Sequence, residues 1–261
     1  MSMKWLLFLC TVFLLVGCDS ETRTTGSQEI VVFAAASLTD AFTELADAFE
    51  DQNEDAQVVI NFAGSSQLAA QLREGVVADV FASANPAQME AVIAAGRIEA
   101  GTEALFVSNR LTIIVPADNP ANIDSLEDLA QPDVQLILAV EGVPVRDYAD
   151  DIVAAMTADF QAGFYGNLVS EEDNVRQVSA KVVLGEADAG IVYTSDVTPD
   201  IANQVQQIMI PDAQNVIAAY PIAPLADAPH PELAQRFIDF VLSEAGQNIL
   251  AQWGFGPPPG S

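Results

Sequence analysis

Short segments of alanine, glycine and serine stand where an apolar run gives way to a helical pattern. A helix that begins there presents backbone N–H groups that have no acceptor within the helix, together with the positive end of the helix dipole. Small residues let a ligand approach that backbone, and serine adds a hydroxyl donor. This pattern favours the binding of an anion by neutral donors. Four turns carry it or resemble it: Ala34–Ser37, Ala63–Ser66, Gly142–Val145 and Glu172–Val175.

Each turn also has an ordinary structural interpretation. Ser37 begins the segment Ser-Leu-Thr-Asp, which fits a capping box, and Ser65 or Ser66 could cap the following helix. Pro144 is typical of a first helical position, and Asn174 is typical of an N-cap. No single turn is specific, so the anion hypothesis depends on several of them meeting at one place.

Signatures of catalysis are scarce. The one histidine, His230, stands between two prolines ahead of a helical pattern, which favours a role in helix entry. Ser-His-Asp and Cys-His mechanisms therefore have at most one possible base. The sequence contains no Gly-x-Ser-x-Gly elbow, Walker loop or Gly-x-Gly-x-x-Gly turn. Carboxylates are scattered without the spacing of a hard-cation site. We expect a protein that is not an enzyme and that needs no cofactor.

The charge balance bears on the partners. The chain has 9 Lys and Arg against 37 Asp and Glu, a formal net charge of −28. Nucleic acids and anionic membrane surfaces bind through clustered cations, so neither is an expected partner. Any anion would have to be held by local dipoles, because the overall charge repels it.

The amino terminus predicts export. Lys4 precedes an apolar run over residues 5–16, which is too short to span a bilayer and is typical of a secretory signal peptide over residues 1–17. The run ends in Leu-Val-Gly-Cys at Cys18, which resembles a bacterial lipobox; the alternative is a general signal peptide that happens to contain a cysteine. We expect a lipidated Cys18 and a flexible tether over residues 18–28.

Beyond the tether, apolar runs of strand length alternate with helical patterns. This alternation predicts an α/β fold with two lobes, each a mostly parallel sheet flanked by helices. Ligands of such sheets gather at the carboxyl ends of strands. The chain after Phe255 should fray. The predicted strands lie at 30–34, 58–62, 80–82, 111–116, 136–140, 189–193, 208–210 and 216–222, and the predicted helices at 38–49, 67–74, 87–95, 126–129, from 144 onward, 175–184, 232–242 and 244–253.

Taken together, a set of motifs resembles the periplasmic molybdate-binding proteins of ABC transporters. The motifs occur in the order of that family across residues 29–256, nearly the whole mature chain. Tyr193, which by itself is a half-buried strand residue, belongs to one of them. They are Val32–Thr39, Phe62–Ser66, Ala78–Ala84, Asn174–Arg176, Gly190–Asp196 and Trp253–Phe255.

The resemblance implies a type II periplasmic-binding fold and a shell of neutral donors. Ser37 and Ser65 would each bind through hydroxyl and backbone N–H, Val145 and Val175 through backbone N–H, and Tyr193 through its hydroxyl, which makes seven donors for four oxygens. The implied ligand is molybdate or tungstate, with no other metal. Sulfate, thiosulfate or another tetrahedral oxyanion is the alternative.

The resemblance also implies an organisation and a setting. Lobe 1 would comprise residues 29–109 and 218–256, and lobe 2 residues 110–217; the Gly-Pro-rich composition of residues 257–261 separately predicts a disordered tail. The implied partner is an ABC permease. We expect a monomer at the periplasm or cell exterior that touches the membrane only through its lipid anchor.

One departure from the family bears on selectivity. The family usually has Pro-Ala-Gly where this chain has Pro144-Val145-Arg146. A backbone donor survives the change to Val145. Arg146 could point outward and pair with Asp147 or Asp150, or reach into the cleft; we favour the outward orientation. An inward guanidinium would put selectivity for molybdate in doubt.

Overall fold

The computed structural model describes residues 28–260, which form a mixed sheet flanked by helices. The predicted α/β class is therefore confirmed. The predicted signal peptide, Cys18 and nearly all of the predicted tether lie outside the described residues. Within residues 28–260, no helix has the length and apolar character required to cross a membrane.

The elements follow the predicted alternation of strand and helix. The strands are β1 (Gln28–Ala35), β2 (Ala56–Ala63), β3 (Val80–Ala82), β4 (Ala104–Pro116), β5 (Leu136–Ala139), β6 (Leu168–Glu172), β7 (Ala189–Tyr193), β8 (Val205–Met209) and β9 (Ile217–Pro224). The helices are α1 (Thr39–Glu50), α2 (Ser65–Arg73), α3 (Pro86–Ala94), α4 (Pro144–Ala154), α5 (Ala158–Gly166), α6 (Val175–Val183), α7 (Pro231–Leu242) and α8 (Glu244–Gln252). Short 3-10 helices occupy Ala36–Leu38, Glu127–Ala130 and Thr194–Asp196.

The sheet runs in the order β2-β1-β3-β9-β4-β7-β5-β6, with β8 paired to β4. In the first lobe β1 lies parallel to β2 and β3, and in the second lobe β5 lies parallel to β6 and β7. Strands β4 and β9 pair antiparallel with their neighbours. Each lobe is thus less parallel than the sequence predicts, because β4 and β9 bring the chain across between the lobes and back. Strand β4 changes partners from β9 to β7 between Arg110 and Leu111.

Two elements were missed by the sequence analysis, α5 and β6. Helix α5 contains Gly163, and glycine disfavours a helix interior. The glycine is required because a Cβ atom there would lie 2.6 Å from the carbonyl oxygen of Ala130. Strand β6 has the sequence Leu-Val-Ser-Glu-Glu, and only its last residue is buried, so it lacks the apolar run of a buried strand.

The carboxyl terminus stays ordered beyond Phe255, contrary to the prediction that it frays there. The backbone N–H of Gly256 donates to the carbonyl oxygen of Ser108 at 2.9 Å, and the Ser108 N–H returns the bond at 3.0 Å. The Ser108 hydroxyl donates to the carbonyl oxygen of Pro257 at 2.7 Å. Backbone pairing with β4 therefore keeps this segment ordered, although its Gly-Pro composition predicts disorder.

An aromatic cluster forms the centre of lobe 1. Phe237 of α7 meets Phe49 of α1 edge to face, with ring centroids 5.4 Å apart, and its ring lies 6.2 Å from Phe42. Phe42 in turn contacts Phe106 of β4 at 5.7 Å. These side chains are buried at 0–2 % exposure, so they join both helices to the sheet.

Replacement of Phe237 by alanine should lower the free energy of unfolding by about 3–5 kcal/mol, because it leaves a cavity beside the rings of Phe42 and Phe49. Leu242 ends the same helix at 38 % exposure and provides the control. Leu242→Ala should cost less than about 1 kcal/mol. Urea unfolding measures both, and equal effects would contradict the assigned core.

Candidate anion-binding site

The five residues of the expected donor shell line one cavity between the lobes. Six of its lining residues come from lobe 1 and six from lobe 2. Four of the donors follow the carboxyl ends of β1, β2, β5 and β6, and Tyr193 is the last residue of β7; ligands of α/β sheets gather at such strand ends. The lining residues are Ala35, Ala36, Ser37, Gly64, Ser65, Ala84, Val143, Pro144, Val145, Asn174, Val175 and Tyr193.

Four backbone N–H groups stand in the first turns of helices. Ser37 lies in the 3-10 helix before α1, Ser65 and Val175 begin α2 and α6, and Val145 is the second residue of α4. A first-turn N–H has no acceptor in its own helix. Within residues 28–260 none of these four finds another acceptor. All four residues are buried at 1–4 % exposure, so these are desolvated donors.

The two serine hydroxyls are held by groups outside their helices. Ser37 Oγ lies 3.0 Å from the hydroxyl oxygen of Tyr220, and Ser65 Oγ accepts the backbone N–H of Ala84 at 3.0 Å. Neither serine caps a helix, so the capping interpretations of Ser37 and Ser65 are wrong. Because Ser65 Oγ already accepts a bond, its own proton is free to donate into the cavity.

The hydroxyl of Tyr193 is buried without a hydrogen-bond partner in the described part of the chain. The sequence had predicted a half-buried side chain, whereas Tyr193 is 1 % exposed. Burial raises the pKa of Tyr193, and that of the neighbouring Tyr220, well above the ordinary value. Both phenols therefore stay protonated. A buried, unpartnered O–H is costly unless something accepts from it.

Ordinary helix-start chemistry is confirmed at the other positions. Pro144 is the first residue of α4, and the Asn174 side chain accepts from the N–H groups of Arg176 at 3.0 Å and Gln177 at 3.2 Å. This cap leaves the N–H of Val175 without its own acceptor. His230 precedes α7 and its backbone N–H donates to Asp79 at 2.8 Å, in agreement with a helix-entry role.

Among residues 28–260, no charged side chain lines the cavity. The Arg146 guanidinium points away from it, as predicted. Its Nε donates to both carboxylate oxygens of Asp150 at 2.9 and 3.0 Å, and its Nη1 donates to Glu171 at 2.6 Å. The other predicted partner, Asp147, accepts instead from Asn85 across the cleft. The Pro-Val-Arg departure therefore adds no positive charge to the site.

The lobes touch around the cavity. Asn85 Nδ2 donates to Asp147 Oδ2 at 3.2 Å, and Gln88 Nε2 donates to the carbonyl oxygen of Gly142 at 3.0 Å. Gly64 packs directly against the opposite lobe, because a Cβ atom there would lie 2.6 Å from the carbonyl oxygen of Asp173. The glycine in the second turn is therefore needed for the lobes to approach each other.

The cavity is small. Its empty volume is about 210 Å³. A larger open groove of about 870 Å³ lies beside Thr194 and Trp253, but it contains none of the five donors. Within residues 28–260 no three metal-ligating side chains come together. The arrangement suits a compact, fully desolvated anion.

Sequence reasoning missed the groups that hold the donors in place. Tyr220 lies in the apolar strand β9, and its hydroxyl was the only sequence feature that indicated a polar contact, here with Ser37. Asp196 Oδ2 accepts the Tyr193 N–H at 3.0 Å, while its Oδ1 lies 3.0 Å from Arg176 Nε. Both Arg176 and Asp196 fall inside the recognised motifs, but their pairing joins separate elements and no sequence pattern predicts it.

The comparisons with known proteins agree with this geometry. A family model described as bacterial extracellular solute-binding protein matches residues 30–256. The molybdate-binding protein ModA of Mycobacterium tuberculosis is 40 % identical over 251 residues, which cover 94 % of this chain and 93 % of the relative.

Two solved structures share the fold. The periplasmic molybdate-binding protein of Azotobacter vinelandii superposes with a TM-score of 0.76 at 18 % identity, over 88 % of this chain and 99 % of that one. The sulfate-binding protein SubI of Mycobacterium tuberculosis gives a TM-score of 0.78 at 21 % identity, over 89 % of this chain and 88 % of that one. At these identities the likeness extends to the fold and not to the ligand.

The buried carboxyl of Asp196 gives a pH prediction. Burial raises its pKa to about 6, although Arg176 and the Tyr193 N–H lower it. Between the ordinary value of 3.8 and about 6, the folded protein keeps a proton that the unfolded chain has released. The contribution of this group to stability is therefore present at low pH and is lost as the pH rises through that window.

Asp196→Asn lacks this titration. The unfolding free energy of the wild type, relative to that of the variant, should therefore decrease as the pH rises from about 4 to about 7. Urea unfolding of both proteins across this range measures the difference. A difference that stays constant or increases with pH would contradict the assignment.

Proposed function

The chain belongs to the bacterial extracellular solute-binding proteins, and on that premise we propose that it captures molybdate, and tungstate equally, for delivery to an ABC permease. The observation that carries the proposal is the convergence of Ser37, Ser65, Val145, Val175 and Tyr193 on one neutral cavity. Their seven donors match the needs of a tetrahedral dianion, which can accept but cannot donate hydrogen bonds.

The chemistry of the cavity supports molybdate over its competitors. An all-donor shell has no acceptor for the proton that phosphate carries at neutral pH. Sulfate has no proton but is smaller, so the same donors would be stretched around it. A buried donor that loses its partner costs about 1–3 kcal/mol. The molybdate-binding relative at 40 % identity supports the same ligand.

The proposed mechanism is capture by closure. Ser37 and Ser65 belong to one lobe, whereas Val145, Val175 and Tyr193 belong to the other. Only a closed arrangement brings all five to the same anion, so binding shifts the population toward it. We propose lobe boundaries near 109/110 and 217/218. These positions fall on β4 and at the start of β9, the strands that cross between the lobes.

Further parts of the proposal concern the setting of the protein. We propose a signal peptide over residues 1–17, a lipid anchor at Cys18 and a monomer tethered at the periplasm or cell exterior. We also propose that the protein has no catalytic role. The relative from Mycobacterium tuberculosis is named as a binding protein, and the cavity offers neutral donors rather than an acid and a base.

A panel of oxyanions tests the ligand. Molybdate and tungstate should each raise the melting temperature of the purified protein, because both fill the donor shell and bind only the folded state. Sulfate and phosphate at the same concentration should leave it unchanged. A rise with sulfate alone would assign the chain to the alternative ligand, and no rise with any of the four would contradict oxyanion capture.

Tyr193→Phe tests the site. Since the hydroxyl has no partner in the described part of the chain, its removal should leave the ligand-free protein at least as stable. Molybdate affinity should fall by about 1–3 kcal/mol, because one donor of the shell is lost. Calorimetric titration measures the affinity, and thermal unfolding measures the stability.

Tyr165→Phe is the matched control. The Tyr165 hydroxyl donates to Asp150 at 2.7 Å, on lobe 2 but outside the cavity. That variant should bind molybdate as the wild type does. Unchanged affinity in Tyr193→Phe would remove Tyr193 from the shell.

A further inference from the structure

Arg176 bridges the two lobes beside the cavity. Its Nη2 donates to Asp40 Oδ2 at 2.6 Å, and its Nε lies 3.0 Å from Asp196 Oδ1. Asp40 belongs to α1 of lobe 1, whereas Arg176 and Asp196 belong to lobe 2. Among the described residues, this is the only ion pair that joins helices of the two lobes.

The three charged residues are close in sequence to three of the five proposed donors. Arg176 follows Val175, and Asp40 comes three residues after Ser37. Asp196 comes three residues after Tyr193 and accepts its backbone N–H at 3.0 Å. A movement of Arg176 would therefore displace residues at the start of α6, at the end of β7 and at the start of α1.

The two arms of the bridge differ in burial. Asp196 is fully buried and lies in the same lobe as Arg176, so their contact does not depend on closure of the lobes. Asp40 and Arg176 keep 31 % and 26 % of their side-chain area exposed. When the lobes separate, both can be solvated by water without leaving a buried charge. The Asp40 arm can thus break and re-form at little cost.

We infer that Arg176 is a clasp, a positioning residue whose ion pair with Asp40 forms on closure and slows release of the bound anion. The inference rests on the proposed function. Arg176 does not line the cavity and is not a ligand. It holds Val175 and Tyr193 in register through Asp196, and it ties them to the lobe that carries Ser37 through Asp40.

Asp40→Asn tests the clasp, because it removes the arm between the lobes and leaves the buried Arg176–Asp196 contact intact. The release rate of molybdate should rise roughly three- to tenfold. The melting temperature of the ligand-free protein should match the wild type. Stopped-flow fluorescence of Trp253, whose indole N–H donates to Glu44 on the same helix as Asp40, reports the release.

Asp227→Asn is the matched control, since it breaks the exposed Arg97–Asp227 ion pair within lobe 1. It should leave the release rate unchanged. A release rate in Asp40→Asn equal to that of the wild type would overturn the clasp. Failure of the wild type itself to bind molybdate would instead overturn the proposed function, so the two failures are distinguishable.

A double variant adds a readout that a merely structural role would not give. If Arg176 acts on release through Asp40, Asp40→Asn should accelerate release in the wild-type background but not in an Arg176→Gln background. Additive effects of the two substitutions would overturn the clasp. Should Arg176→Gln fail to fold, the release rates of Asp40→Asn and Asp227→Asn still test the clasp.

Discussion

A set of buried hydrogen-bond donors that lack acceptors is the constraint on which the rest of this structure depends. Four first-turn N–H groups and the Tyr193 hydroxyl converge on a cavity without any charged side chain. Desolvated donors of this kind destabilise a protein unless something accepts from them. An anion with several acceptor oxygens removes that cost, so the closed arrangement and its ligand depend on each other.

The fold serves this constraint by bringing strand ends together. Each donor lies at or just after the carboxyl end of a strand, and β4 and β9 place the two groups of strands so that these ends face each other. Small residues complete the arrangement. At Gly64 even a methyl group would collide with the carbonyl of Asp173 across the cleft. The donors can then surround one small anion rather than line a wide groove.

Much of this could be predicted because the information is local. Apolar runs predict most of the strands, and the strand-to-helix turns predict where an anion could bind, whereas the five individual donors were implied by the resemblance to the molybdate-binding family. What could not be predicted depends on contacts between distant residues. Gly163 in α5 is explained only by the backbone of Ala130, and residues 104–110 of β4 only by pairing with β9. The support of Ser37 by Tyr220, 183 positions away, likewise has no sequence signature.

The placement of the arginines shows how such an acidic chain could recognise an anion selectively. A guanidinium in the cavity would attract any anion, because charge acts over distance and with little regard for shape. Arg146 is instead paired with Asp150 and Glu171, and Arg176 with Asp40 and Asp196. Neutral donors act only at hydrogen-bond distance, so a mismatch in size or protonation leaves them unsatisfied. Recognition then depends on geometry, while the Arg176–Asp40 ion pair that we infer to be a clasp controls how long the lobes stay closed.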